Sequence, residues 1–491
     1  MLSTLADQST LGSWVTWLTG GTPDFMISRW IFLRLLGVIS LIAFVSLSVQ
    51  ITGLVGSNGI LPVGSFLQAV KSAIPGIDRF RVAPTLLWLS SSDAMLTILC
   101  ALGVIFSITL ILGIAPSISL LILWILYLSL VVAGQEFLSF QWDILLLETL
   151  LLAIFVAPQS LFPGFLRETM MPRIALLLLW WLLFRLMFES GVVKLTSGDS
   201  SWKDLTALHY HYETQPLPTW IGWYVHQLPD LFGRFSVFLM YVVEIVFPFL
   251  ILGSPTLRAI ACAGFIVLQV LIFLTGNYTF FNLLSIALSL LLLDDAQWRA
   301  ILPHRLQSFF PVSSTLPSMP FALGILFCIL AIPILLVTAN QILETVLPGV
   351  SFPPIDTLDS LLSPLRSANS YGLFRVMTRE RDEIVVEGSE DGQHWFPYEF
   401  RWKPGALDRV PAFVEPHQPR LDWQMWFAAL SPYEANPWFQ NFLVRLLQGS
   451  PDVLSLLASN PFPDHPPRFI RAELFRYHFT TLGEHRETIC E

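Results

Sequence analysis

Charge is scarce in this chain: 13% of its 491 residues are Asp, Glu, Lys or Arg, about half the share expected of a soluble globular domain. With 54% hydrophobic residues and a mean hydropathy of +0.64, a soluble enzyme is excluded and an integral membrane protein is implied. The net charge of -9 comes without a long block of either sign, which argues against nucleic acid as a partner. Cysteine is equally sparse. Cys100, Cys262 and Cys328 lie in apolar runs and Cys490 is the penultimate residue, so there is no CxxC, zinc pattern or disulfide framework. GxSxG, Walker A, HExxH and Rossmann fingerprints are missing too, which removes the usual hydrolase, nucleotidase and metalloprotease readings. Neither a metal nor a cofactor is expected.

What is present is a change of solvent near residue 345. Before it, apolar runs of about 20 residues recur, the length at which a helix crosses hydrocarbon with its own backbone hydrogen bonds satisfied. After it comes a charged segment rich in Trp and Pro. The expected fold is a polytopic α-helical membrane bundle, residues 1–344, followed by a soluble α+β domain, residues 345–491. We read about nine spans: 29–49, 94–113, 116–134, 142–158, 173–191, 234–252, 257–275, 277–293 and 321–339. Gly113 with Pro116, and Gly276 with Asn277, leave turns so short that the flanking spans form hairpins. The longer connections 50–93 and 192–233 carry Gly, Pro, Trp and His and are expected to cap one face of the bundle. Asn277-Tyr278-Thr279 forms a sequon but abuts apolar runs, so Asn277 is expected to be structural.

The first 28 residues hold no Lys or Arg, so the first span is expected to act as its own insertion signal. Nine spans place the termini on opposite sides. Arg29, Arg167, Arg173, Arg258, Arg299 and Arg305 fall on the N-terminal side, balanced by Lys71, Arg79, Arg81, Lys194, Lys203 and Arg234 on the other. The second set sits mainly in the two longest loops, where the positive-inside rule is weakest, so the reading leans to a cytoplasmic N-terminus and an exoplasmic tail.

In the tail, 383–389 and 395–402 are β-rich runs either side of Glu390-Asp391-Gly392-Gln393, which predicts a β-hairpin. A further strand is expected at 371–377, giving a small antiparallel sheet or sandwich, and helices are expected at 421–430 and 437–448.

Charged residues inside spans are functional candidates by default. Asp143 and Glu148 fall in the fourth span, Arg185 and Glu189 in the fifth, with Arg34 and Glu244 elsewhere. Arg185 and Glu189 are one helical turn apart, so they can pair, with Glu148 joining from a neighbouring helix in an ion-pair clamp. Beyond the fifth span, Lys194 at the membrane boundary and the run His209-Tyr210-His211-Tyr212 offer a base and proton-shuttling groups, or simply a snorkelling lysine. Tyr210, Tyr212, Trp220 and Trp223 fit an interfacial aromatic belt.

Several strings are familiar. Asn369-Ser370-Tyr371-Gly372-Leu373-Phe374-Arg375-Val376-Met377-Thr378, then Val386-Glu387-Gly388-Ser389, then Pro416-His417-Gln418-Pro419-Arg420-Leu421-Asp422-Trp423-Gln424-Met425-Trp426-Phe427 closely resemble the lipase maturation factor family. Gly59-Ile60-Leu61-Pro62-Val63, Gln141-Trp142-Asp143 with Leu147-Glu148, Phe188-Glu189-Ser190-Gly191-Val192-Val193-Lys194-Leu195 and Gly276-Asn277-Tyr278 extend the likeness through the membrane half. The resemblance implies a multi-pass membrane protein, in animals of the endoplasmic reticulum and in a bacterium of the inner membrane. Its exoplasmic domain would act as a chaperone or assembly factor for secreted lipases. It implies a lipase-like client protein and the lipid bilayer as partners. On that reading Arg420, Trp423, Trp426 and Phe427 are the candidate client-binding residues, since aromatics and Arg dominate binding hot spots.

The membrane half also resembles, distantly, the helical domain of vitamin K-dependent carboxylase-like proteins. That likeness offers Lys194 as a base, with Glu189 or His211 as partner, on a lipid-soluble substrate. The chain ends Thr488-Ile489-Cys490-Glu491 with no retention signal, and the tail holds one cysteine. A bacterial relative with another client fits both departures.

Overall fold

The computed structural model describes residues 17–162, 171–307, 321–347, 349–350 and 352–484. Arg167, Cys490 and the chain's last residues, on which expectations above rest, lie outside them. Among the described residues, seven helices are long and apolar enough to cross a bilayer. They are α1 (Met26–Ser48), α2 (Asp93–Leu112), α3 (Pro116–Ala133), α5 (Arg173–Thr196), α7 (Asp230–Leu250), α8 (Pro255–Thr275) and α10 (Phe321–Val346). Their apolar residues surround the helix because one side meets protein and the other lipid. In α2, Leu96, Leu99, Cys100 and Gly103 are buried while Ile98, Leu102, Ile105 and Ile108 are exposed.

The expected count of nine is not confirmed at the fourth and eighth spans, which fall short of crossing length. These are α4 (Gln141–Val156) and the shorter apolar helix α9 (Phe281–Ser289, extended by a tight turn to Leu292). Sixteen residues rise about 24 Å, short of the roughly 30 Å of hydrocarbon, and both helices are largely shielded by protein. α4 nonetheless runs antiparallel along α3. The chain after it returns to the α2–α3 turn, where Ala115 N–H donates to the Leu161 carbonyl at 2.7 Å and Ser117 Oγ to that of Pro158 at 2.8 Å. α9 likewise folds back on α8, until Arg258 Nε near the start of α8 reaches the Leu292 carbonyl at 3.4 Å. The α2–α3 turn is as tight as its sequence requires: Gly113 has φ +76°, and a Cβ there would lie 2.3 Å from Arg34 Nη2.

The connections 51–92 and 197–229 fold into short helices on the face where α1 and α3 end. One of these, α6 (Ala207–Thr214), carries the two histidines. Trp220 and Tyr224 are exposed there, whereas Trp223 is buried and donates to the Thr480 carbonyl at 2.9 Å.

The tail covers the same face. Its sheet has three antiparallel strands in the order β2–β1–β3: β1 (Arg381–Ser389), β2 (Phe396–Pro397) and β3 (Phe469–Tyr477). The hairpin closes with Gly388 opposite Phe396, and β3 pairs along the whole of β1 from Arg381↔Tyr477 to Ser389↔Phe469. Helices α11 (Arg420–Ala429) and α12 (Pro437–Leu447) match the expected pair. The expected strand at 371–377 is not one. That segment packs on the bundle and the 197–229 connection, where Glu189, Gln141 and Asp199 take the N–H groups of Tyr371, Gly372 and Met377 in place of a neighbouring strand.

Candidate functional site

Every carboxylate expected inside the spans is buried, and most of them hold the tail. Asp143, in the first turn of α4, forms a two-point ion pair with Arg420 of α11 (Nη1–Oδ2 2.7 Å, Nη2–Oδ1 2.8 Å). Tyr127 Oη donates to the same carboxylate at 2.6 Å, and Arg420 Nη1 also donates to the Phe137 carbonyl at 2.8 Å. The planar fork of Arg suits this geometry. Beside it, Gln50 at the end of α1 receives Arg420 N–H at 2.9 Å and donates to the Gln418 carbonyl at 2.7 Å. Ser46 Oγ accepts Gln418 N–H at 2.9 Å and contacts His417 Nδ1 at 2.9 Å.

One and a half turns along α4, Glu148 pairs with Arg185 of α5 and accepts from Tyr371 Oη at 2.8 Å and Asn369 Nδ2 at 3.1 Å. Arg185 Nη1 donates to the Asn369 carbonyl at 2.7 Å. Glu189 is not bonded to Arg185; its Oε2 accepts Tyr371 N–H at 2.7 Å. The pairing is thus Arg185 with Glu148 across α4 and α5 and not Arg185 with Glu189 along one helix, and the tail segment 369–372 completes it, which no helical periodicity could have supplied. Separating the tail from the bundle would leave Asp143 and Arg420 as unpaired charges, which is strongly destabilising.

Of the four candidate client-binding residues, Arg420, Trp423 and Trp426 lie in this seam. Trp423 packs edge-on against Trp142, ring centroids 4.7 Å apart, and Trp426 Nε1 donates to the Thr214 carbonyl at 2.8 Å. Phe427 is 39% exposed. Asn277 is structural: it is buried, donates to the Leu217 and Ala412 carbonyls at 3.1 and 3.0 Å, and accepts Val414 N–H at 2.8 Å.

The three residues offered as a catalytic group are divided between two sites. Glu189 belongs to the seam. Lys194 donates to both oxygens of Glu244 (2.9 and 2.6 Å), a partner that the sequence reading did not give it. Gly191 makes the approach possible, because a Cβ there would sit 2.6 Å from Ile245 Cγ1 and 3.0 Å from Glu244 Cβ. His211 contacts Tyr278 Oη through Nε2 at 2.9 Å. It is half-buried by surface area, but it faces a cavity instead of bulk water, and that desolvation with the nearby Lys194 charge lowers its pKa to about 4. His209 turns away and pairs with Asp230 at 2.9 Å, so the two histidines do not converge on one ligand position. Lys194, Glu244 and His211 border an apolar cavity of about 230 Å³.

Comparison with known proteins agrees with both halves of this architecture. The lipase maturation factor transmembrane domain matches residues 27–300, and the lipase maturation factor C-terminal domain matches residues 367–489. Lipase maturation factor 2 of Gallus gallus is 37% identical, over 93% of this chain and 78% of its own. Lipase maturation factor 1 of Bos taurus is 35% identical, over 95% and 86%, and lipase maturation factor 2 of Mus musculus is 35% identical, over 95% and 82%. No solved structure matches. Matches of this extent, through the buried carboxylates of the bundle and the tail segments that meet them, establish that the chain belongs to the lipase maturation factor family.

Proposed function

We propose that this multi-pass membrane protein is a chaperone or assembly factor that helps secreted lipases, or similar exported clients, reach their active form. The observation that carries this reading is the extended similarity to proteins named lipase maturation factor 1 and 2. The buried seam supports it. A tail fastened to the bundle at Asp143, Glu148 and Glu189 is a rigid surface held beside the membrane, where exported chains emerge. The tail faces the exoplasmic side, the lumen of the endoplasmic reticulum in a eukaryote and the periplasmic side of the inner membrane in a bacterium. Arg420, Trp423 and Trp426 position the client surface, and Phe427, which stays exposed beside them, contacts the client.

The test is co-expression with a secreted lipase in cells that lack their own maturation factor, reading lipase activity per unit of secreted lipase protein. The proposal expects that ratio to rise several-fold. An unchanged ratio with the chain correctly inserted rejects it.

A further inference from the structure

The cavity beside Lys194 is lined by none of Asp143, Glu148, Glu189 or Arg420. Its walls come from α5, α7 and α8, and its roof from α6 and the tail residues Leu373 and Phe374. Most of its lining is apolar, including Met187, Met240 and Leu268. Phe232 and Leu271 border it and are 48% and 55% exposed on the outer faces of α7 and α8, so it opens sideways, where the bilayer lies. Its volume of about 230 Å³ is below the roughly 300–1,000 Å³ of sites that enclose a whole drug-sized ligand. It therefore has room for a small polar head and the adjoining part of one chain, with the remainder of the molecule left in the membrane.

The inner end is polar but electrically balanced. Lys194 and Glu244 are the cation and the anion of the lining, and each neutralises the other. Glu244 reaches inward from a π-helical turn, Val242–Val246. Pro248 follows it and has no N–H to return to the Glu244 carbonyl, which accounts for the break in the regular ladder. Such single-turn bulges recur at functional sites. Gln269 and Ser190 also line this end and add hydrogen-bonding groups without charge.

From the lateral opening, apolar walls and charge-balanced inner end, we infer that the cavity binds one uncharged amphipathic lipid, its hydrogen-bonding head toward the Lys194–Glu244 pair. An anionic phosphate head is disfavoured, because it would bring an uncompensated charge into a desolvated site whose cation is already engaged. This inference stands independently of client maturation.

The experiment uses the full chain in lipid nanodiscs with a diacylglycerol carrying a photoreactive diazirine on one acyl chain, and the phosphatidic acid with the same chains for comparison. The expected result is diacylglycerol labelling of peptides from α5, α7 and α8 that line the cavity. Labelling should fall about tenfold, a loss of roughly 1.4 kcal/mol, in Ser236→Trp, which puts an indole in place of a small lining side chain and so fills the mouth and the space behind it. It should persist in Phe235→Trp, whose side chain is exposed outside the cavity. Thermal unfolding verifies that each variant is folded, and Leu268→Trp replaces Ser236→Trp if that one is not. Equal labelling in mouth-filled and parent protein overturns the inference, as does phosphatidic acid labelling of the same peptides as strongly.

Discussion

Arg420 and Asp143 stand 277 residues apart in the chain and meet through two hydrogen bonds of 2.7 and 2.8 Å, both side chains fully buried. Removing one partner leaves the other charge buried and alone. Asp143→Asn is therefore expected to destabilise the protein by about 3–5 kcal/mol. Replacing both, as Asp143→Leu with Arg420→Met, should recover much of the loss, because an apolar pair leaves no uncompensated charge. Thermal unfolding in detergent of Asp143→Leu, Arg420→Met and the double variant checks this; a double variant as unstable as the sum of those two singles would show that the pair does not couple tail to bundle.

Tyr371 is the pivot of the second contact. Its hydroxyl serves Glu148 and its backbone N–H serves Glu189. Tyr371→Phe removes only the first, so about 1–3 kcal/mol should be lost. The change should appear as faster proteolysis of the tail at unchanged membrane insertion.

Trp426 and Phe427 are neighbours with opposite expected outcomes. Trp426 is 9% exposed and bonded to Thr214, so Trp426→Ala should lose about 3–5 kcal/mol, as aromatic truncations in cores do. Phe427→Ala should change stability by only about 0.5 kcal/mol and lower the recovery of active lipase. Recovery unaffected by Phe427→Ala in a folded protein would remove Phe427 from the client surface.

Glu415 gives the pH dependence a sign. Burial pushes its carboxyl up to about 9, against the lowering effect of the Tyr278 and Thr279 backbone N–H groups that it faces. The unfolded chain releases this proton near pH 4.3 and the folded chain retains it to about 9, so stability falls as pH rises through that window. Glu415→Gln keeps an acceptor and has no proton to release. Its unfolding midpoint should decline less than that of the parent between pH 5 and 9, and parallel declines would contradict the assignment.

The membrane half was legible where local rules suffice. Hydropathy located the spans, and the expense of charge in lipid singled out Asp143, Glu148, Arg185, Glu189 and Glu244. The partners of those residues were not legible, because periodicity reports neighbours on one helix. Arg185 and Glu189 satisfy helical spacing, yet Glu189 bonds a backbone N–H that is 182 residues away. The same limit misread 371–377, whose β-prone residues pack on the bundle and its 197–229 connection, where Asp199 takes Met377 N–H at 2.7 Å. It also hid β3, whose partner strand lies about 90 residues earlier and whose Arg471, Glu473 and Arg476 interrupt its apolar alternation.

The central claim is that the two halves form one body through buried carboxylates. Its most direct test is a protease site inserted between Leu347 and Phe352, followed by cleavage in native membranes and separation of the soluble fraction. The account predicts that the severed tail stays with the membrane in the parent and enters the soluble fraction when Asp143→Asn and Glu148→Gln are combined. Release of the parent tail on cleavage alone would contradict it.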